Sequence, residues 1–250
     1  MNGALEYRDL YKQYKSGMGA RNRLVAVDKL NLSVNHGEIF GFLGPNGAGK
    51  TTCIKITMGF LKATSGQVAI LGKSNTDWRV RERVGFLPEN PNIYPYLNGR
   101  QALAVFGRMF SLRGAALKKR IEDVSEQLGL DRELRTPLGK HSKGMLQRVG
   151  LAQALINDPD ILILDEPMSG LDPIGRRMFR EVILRLKQRG KTVFFSSHIL
   201  SDIEMLCDRV GMISRGRLVL DMPMSEILEQ RASGGRDLEQ IFMEKVGAAQ

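Results

Sequence analysis

The run Gly44-Pro45-Asn46-Gly47-Ala48-Gly49-Lys50-Thr51-Thr52 has the spacing GxxxxGK[ST], and that spacing suits phosphate. Glycines let successive backbone N–H groups turn inward around an anion. The start of a following helix adds unpaired N–H groups and the positive end of its dipole. Lys50 brings a point charge for the β- and γ-phosphates of a nucleotide, and the Thr51 hydroxyl suits Mg²⁺. A second stretch, Ile161-Leu162-Ile163-Leu164-Asp165-Glu166, ends an apolar run in two carboxylates. Beside a phosphate site, Asp165 is placed to orient the water shell of a metal. Glu166 is then placed to polarise a water that attacks the terminal phosphate.

These residues need a strand, a loop and a helix to position them, and the flanking pattern supplies all three. Ile39-Phe40-Gly41-Phe42-Leu43 reads as a buried strand, and Thr51 to Phe60, with Ile54, Ile56, Met58 and Phe60, reads as a helix. Before them, Leu5 to Tyr14 reads as a strand and Ser16 to Asn22 as a loop. Leu30, Leu32 and Val34 alternate with polar residues as in a half-buried strand. Together they predict an antiparallel β-layer leading into a nucleotide core. Further on, Val68–Leu71 and Val84–Leu87 read as strands and Asp77–Arg83 as a short helix. From Asn98 the spacing turns helical, through Ala102, Val105, Phe106, Met109 and Phe110, then Leu117, Ile121, Val124 and Leu128. Ser142 is placed to cap a helix through Leu146, Val149, Leu151 and Leu155. Asp172-Pro173 starts another helix, and Gly190 ends it. Thr192–Ser196 is a strand, Ser201–Cys207 a helix, and Arg215-Gly216 the turn of a hairpin. Ser225–Gln250, broken by Ser233-Gly234-Gly235, reads as a short helical tail.

The predicted fold is therefore α/β: a P-loop NTPase core of RecA type, with an antiparallel β-layer and an inserted α-helical subdomain. Residues 1–96 and 158–222 form the β-layer and core, 97–157 the helical subdomain, and 223–250 the tail.

The chain has 250 residues, enough for one sizeable α/β domain. Hydrophobic residues make up 42% and charged residues 26%, which fits a soluble globular protein. No apolar run is long enough to span a bilayer, and Met1–Leu10 lacks the apolar region of a secretory signal. A cytoplasmic location is expected. Cys53 and Cys207 are far apart within apolar patterns and read as reduced packing residues. Net charge is +10. That fits nucleic acid, an anionic membrane face or a polyanionic ligand such as ATP. The charges are scattered, with no aromatic-interleaved stripe, so charge alone does not choose among them.

With these segments in this order, the chain resembles the ATP-binding subunit of ABC transporters, nearly end to end. The nearest group resembles the single-domain ATPases of ABC-2-type exporters. The matching segments are the P-loop, His141-Ser142-Lys143-Gly144-Met145, the strand ending at Asp165-Glu166, Ser169-Gly170-Leu171-Asp172, and His198. The resemblance supplies further roles. Ser142 and Gly144 match the serine and second glycine of the LSGGQ signature, which closes over the γ-phosphate of ATP held by the opposite subunit. Lys143 and Met145 depart from that pattern, standing where glycine and glutamine are usual. Glu89 stands where the family has the Q-loop glutamine, and its carboxylate can ligate a hard cation. Asp172 matches the D-loop aspartate. His198 matches the switch histidine at the γ-phosphate. Tyr14 best matches the aromatic that stacks on adenine, with Tyr11 and Tyr7 as rivals.

The resemblance implies an ATPase with ATP and Mg²⁺ as cofactors. Its metal-site residues are Thr51, Asp165 and Glu89; Glu166, His198 and Lys50 carry the chemistry. It implies a head-to-tail dimer with a second ATPase subunit, a separate integral membrane permease, and export as the direction. The chain would sit on the cytoplasmic face of the membrane, with the loop Glu89–Tyr96 and the helices after it docking the permease. No specific nucleic-acid binding is expected. A soluble ABC-type ATPase acting on DNA or ribosomes is the alternative. Repair-type members carry a long inserted coiled coil and translation-type members usually two cassettes, and neither fits. A P-loop nucleotide kinase would lack the signature and D-loop segments.

Overall fold

A computed structural model describes residues 3–16, 22–91, 93–130 and 133–247. The predicted loop between Ser16 and Asn22 lies, for residues 17–21, outside them. In chain order the elements begin with strands β1 (Leu5–Ser16), β2 (Asn22–Val34) and β3 (Ile39–Leu43), then helix α1 (Lys50–Thr57). Strands β4 (Ser65–Ile70), β5 (Lys73–Ser74) and β6 (Val84–Leu87) follow, with a 3-10 segment Trp78–Arg83 before the last. Three helices come next: α2 (Gly99–Met109), α3 (Gly114–Leu128) and α4 (Lys143–Leu155). Then β7 (Ile161–Asp165), α5 (Pro173–Gln188), β8 (Thr192–Ser197), α6 (Leu200–Leu206) and the hairpin β9 (Arg209–Ser214) and β10 (Arg217–Pro223). Helices α7 (Met224–Ala232) and α8 (Leu238–Gly247) close the described chain. The chain divides into two compact units: Met1–Val80 with Phe194–Gln250, and Arg81–Val193.

The first unit contains an antiparallel sheet in the order β2-β1-β4-β5 and a run of strands in the order β10-β9-β3-β8. β3 and β9 are parallel, Phe40 opposite Arg209 and Leu43 opposite Met212. Every residue of β3 is buried, as its unbroken apolar run requires of a strand covered on both faces. Phe194 centres this core. Its ring stacks on Phe40 at 5.8 Å, tilts against Phe42 at 5.4 Å and meets Tyr7 at 6.5 Å. Such pairs contribute about 0.5–1.5 kcal/mol each beyond area burial. β1 shifts register against β2 between Tyr7 and Leu10, where Asp9 takes φ +44. Asn31 holds this bulge: its Oδ1 accepts from the Asp9 N–H (2.9 Å), and its Nδ2 donates to Asp9 Oδ1 (2.9 Å).

One expectation, the length of α1, is corrected in this unit. The helix after the P-loop stops at Thr57, because Gly59 turns left-handed at φ +72 and Phe60 faces solvent. The tail is two anchored helices, with Met224, Ile227, Leu238 and Ile241 buried.

In the second unit β6 and β7 are parallel, Val84 opposite Ile161 and Leu87 opposite Leu164. A parallel pair needs a long crossover, and α2, α3 and α4 lie within it. Asn98 and Gln101 form a capping box at the start of α2. The buried face of α2 is Ala102, Leu103 and Gly107. Val105 and Met109, read from the sequence as part of the stripe, are 43% and 73% exposed. Small residues set this face: Leu117 of α3 comes so near Gly107 that a Cβ there would lie 2.4 Å from Leu117 Cδ1. Size, which a hydrophobic pattern does not register, thus rotates the helix. Arg148 of α4 pairs at 2.6 Å with Glu133, which is buried, and also donates to the last-turn carbonyl region of α3 at Gly129 O (3.2 Å).

Candidate functional site

The loop Gly44–Lys50 joins β3 to α1 in the first unit. Gly47 and Gly49 have φ +79 and +111. Gly49 is the N-cap of α1, and no side chain caps that helix. Gly49 therefore opens the N-terminus of α1, the positive end of the helix dipole, toward the loop. Lys50 is 6% exposed, and its Nζ donates to Gly44 O at 2.7 Å and Pro45 O at 3.3 Å. The ammonium is thereby held across the loop's own mouth. Pro45 is half-buried, Asn46 and Gly47 are exposed, Ala48 is buried, and Thr51 and Thr52 are half-buried.

Two remote segments brace this loop. A Cβ on Gly49 would lie 2.4 Å from Ala26 O of β2. The Gly216 N–H, in the β9–β10 turn, donates to Ala48 O at 2.9 Å, and Gly216 O accepts from Asp28 N–H at 2.9 Å. The turn is thus wedged between the loop and β2, and Arg217 locks it by pairing with Asp28 at 2.6 Å. Sequence reasoning reads Arg215-Gly216 as a hairpin turn and assigns Ala26 no part. The left-handed pair, Arg215 at φ +47 and Gly216 at φ +79, is legible locally; its target is not.

The end of β8 meets the same loop. Gly44 N–H donates to Ser197 O at 3.3 Å, so His198, the next residue, projects from a strand end tied to the loop's first glycine. His198 is exposed. Ser197 Oγ accepts from Ile199 N–H at 2.9 Å, fixing the turn on which His198 sits. Tyr14 lies on β1 opposite Leu24 of β2, the strand that carries Ala26. It is partly exposed, with Lys12 Nζ 5.2 Å from its ring centroid. Its rival Tyr7 is buried, and its hydroxyl shares a 2.8 Å hydrogen bond with Thr57 Oγ1. Burial pushes that phenol's pKa up, and no face of Tyr7 is free to stack on a base.

The second unit carries Glu89, Ser142, Gly144, Asp165 and Glu166. Asp165 and Glu166 sit buried at the carboxyl end of β7. Glu166 has φ +47, a conformation that costs a non-glycine residue about 1 kcal/mol or more. Glu89 is exposed just past β6, the strand paired with β7 through Leu87 and Leu164. Ser142 is the N-cap of α4, its Oγ accepting from Met145 N–H at 3.3 Å. That helix start lies against the segment after Glu166. A Cβ on Gly144 would lie 3.4 Å from Leu171 Cδ2, and one on Gly170 would lie 2.9 Å from Lys143 Cδ. The Lys143 stem therefore crosses Gly170. Asp172 caps α5, with Oδ1 accepting from Gly175 N–H at 2.7 Å and Pro173 beginning the helix. One side chain that no motif singled out, Gln147, joins α4 to Pro167.

The residues fit a nucleotide with a hard cation. The loop supplies a buried ammonium, left-handed glycines and an uncapped helix start. The hydroxyl and carboxylate oxygens of Thr51, Asp165 and Glu89 are hard ligands. Among the described residues no group of three or more His, Cys, Asp or Glu can hold a metal alone. Mg²⁺ does not need one, since it is bound through one or two carboxylates together with substrate phosphates.

Residues 27–169 match the family described as ABC transporter. An uncharacterized ABC transporter ATP-binding protein of Nostoc sp. (strain PCC 7120) is 45% identical over 222 residues, covering 88% of this chain. The chain spans just under two thirds, 66%, of that protein's length. The bacitracin transport ATP-binding protein BcrA of Bacillus licheniformis is 42% identical, over 91% of this chain and 72% of its own. Among solved structures, a dimeric ATP-binding cassette in a post-hydrolysis state bound to ADP and Pi superposes with a TM-score of 0.80. It is 25% identical and covers 88% of this chain and 98% of its own. The α/β fold is that of the ABC ATPase cassettes.

Proposed function

The chain belongs to the ABC transporter ATP-binding family, and from that premise we propose that it is the ATPase of a transporter. It binds ATP with Mg²⁺ at a head-to-tail interface with a second ATPase subunit, and drives a separate membrane permease in the direction of export. The observation that carries this reading is the braced loop Gly44–Lys50, with Lys50 Nζ turned onto Gly44 O and Pro45 O. A buried cation facing an uncapped helix start is a site for a polyphosphate.

Each residue then has a part. Gly44 to Thr52 surround the phosphates, and Lys50 exchanges loop carbonyls for phosphate oxygens. Thr51, Asp165 and Glu89 would hold Mg²⁺, which when bound supplies charge neutralisation across the β- and γ-phosphates. Glu166 takes a proton from the attacking water. His198 and, from the opposite subunit, Ser142 and Gly144 stabilise charge on the γ-phosphate. Tyr14 stacks on adenine. Exposed Asp172 and Ile174 at the start of α5 suit contact with the second subunit. Residues 97–157 form the helical signature subdomain, and the permease docks on the loop Glu89–Tyr96 and the helices after it. Tyr94 and Tyr96, 71% and 89% exposed, support that surface, as do Val105 and Met109. No helix among the described residues is long and apolar enough to cross a membrane, and the permease holds the chain at the membrane's cytoplasmic face.

Glu166→Gln tests the reading. Hydrolysis should slow by about 10²-fold or more while ATP-dependent dimers persist; unchanged turnover overturns it. The net charge of +10 favours one other reading, a soluble ATPase acting on nucleic acid or ribosomes. Salt-sensitive nucleic-acid binding by the purified chain supports that reading; a polytopic membrane protein that co-purifies supports the transporter.

A further inference from the structure

Gln147 lies beyond the first turn of α4 and is 1% exposed. Its Nε2 donates to the carbonyl of Pro167 at 3.2 Å. Its Oε1 is buried and accepts no hydrogen bond. An unmet buried acceptor costs about 1–3 kcal/mol, so an apolar side chain of similar size would suit packing better. The whole polar contribution of this side chain is the bond to Pro167.

Pro167 directly follows Glu166. A residue before proline is already restricted in backbone conformation, and Glu166 sits at φ +47. Such a conformation persists only where the surroundings over-determine it. From one side the turn is closed by Ser169 N–H donating to Glu166 O at 3.1 Å. From the other it is held by Gln147. The start of α4 touches the same segment again, through Gly144 against Leu171 and the Lys143 stem over Gly170.

We propose that Gln147 is a positioning residue: its Nε2–H tethers α4 to the turn Glu166–Ser169 and thereby aims the Glu166 carboxylate. The helix that presents Ser142 and Gly144 to a partner's nucleotide and the carboxylate serving this subunit's own nucleotide then move as one body. The inference rests on the proposed roles of Glu166, Ser142 and Gly144.

The test is steady-state ATP hydrolysis by the full chain as wild type, Gln147→Leu, Gln147→Glu and Glu166→Gln, with thermal melting of each. Gln147→Leu removes the donor and the unmet acceptor together. Its kcat should fall about tenfold or more, as expected for a misaimed catalytic group. Its KM for ATP should stay within about twofold, and its melting midpoint should shift little, because one unmet acceptor, Gln147 Oε1, is exchanged for another, Pro167 O, while leucine adds apolar burial. A purely structural role for the bond to Pro167 predicts the reverse, lower stability with kcat kept. In Gln147→Glu an ionised carboxylate cannot donate to Pro167 O, whereas a protonated one can, and burial favours the protonated form. Its kcat relative to wild type should rise as pH is lowered from about 8.5 to about 6. A Gln147→Leu kcat within about twofold of wild type, alongside a slow Glu166→Gln, overturns the tether alone. For Gln147→Glu, a ratio that stays flat and well below wild type over that pH range also overturns it, whereas one that rises on acidification or stays near wild type supports it, and that profile decides the matter if Gln147→Leu does not fold. Wild-type turnover in Glu166→Gln overturns instead the reading of Glu166 as base.

Discussion

Lys50 shows what separates a functional charge from a surface one. The chain has 37 Lys and Arg residues, and most are solvated; Lys50 is buried and aimed at loop carbonyls. Two of its partners, Gly44 O and Pro45 O, are neutral backbone oxygens; on the proposed function a phosphate outcompetes them, because a full negative charge meets the ammonium at low local dielectric. The two cysteines show burial acting the other way. Cys53 and Cys207 are free and buried, and burial raises both thiol pKa values well above normal. The thiolate is the reactive form, so neither sulfur is poised for chemistry. A thiol-specific reagent at neutral pH should label neither in the native protein and both after unfolding. Rapid native labelling of either would show that its element opens far more readily than its packing implies.

The P-loop depends on elements it does not belong to. β2 backs Gly49 through Ala26 O, and the β9–β10 turn grips Ala48 through Gly216 N–H. A Cβ on Gly216 would lie 2.9 Å from Ala26 O and 3.0 Å from Val27 Cα, both backbone atoms, at φ +79. Gly216→Val should therefore push the turn away from the loop. We expect KM for ATP to rise several-fold and stability to fall by about 1–3 kcal/mol. Gly190→Ala is the control: φ is also positive, +74, but nothing lies within 4 Å of the added Cβ. It should cost about 1 kcal/mol with KM unchanged. Equal KM for the two variants would mean that the turn does not position the loop. At this scale the sequence is readable where the partners are neighbours. Ser142 and Asp172 cap their helices as residue type and spacing imply. The face of α2 was misread, because Ala102 and Gly107 are buried for their smallness while Val105 and Met109 are left outside.

On the proposed function the whole molecule turns nucleotide hydrolysis into work on a permease, and that reading places a requirement on its surface. Among the described residues, Tyr94, Tyr96, Val105 and Met109 stand exposed, and exposed apolar side chains of this kind suit a recognition surface. Replacing several of these with charged residues should abolish transport by the reconstituted transporter while basal ATPase stays within about twofold. Wild-type transport in that variant would place the permease elsewhere. The sequence alone was enough to propose the chemistry of Gly44–Thr52 and of Asp165-Glu166, because in each the candidate groups are contiguous. It also determined the strands that carry them, since buried parallel strands read as unbroken apolar runs. Only the tertiary structure decided that Ala26 and Gly216 brace the loop and that Gly44 is tied to Ser197. The same holds for Gln147 and the carbonyl after Glu166. These contacts run between backbone or amide atoms of segments remote in sequence. Every residue type carries the same backbone groups, so residue identity cannot announce them; the packing of the cores brings them within hydrogen-bond reach.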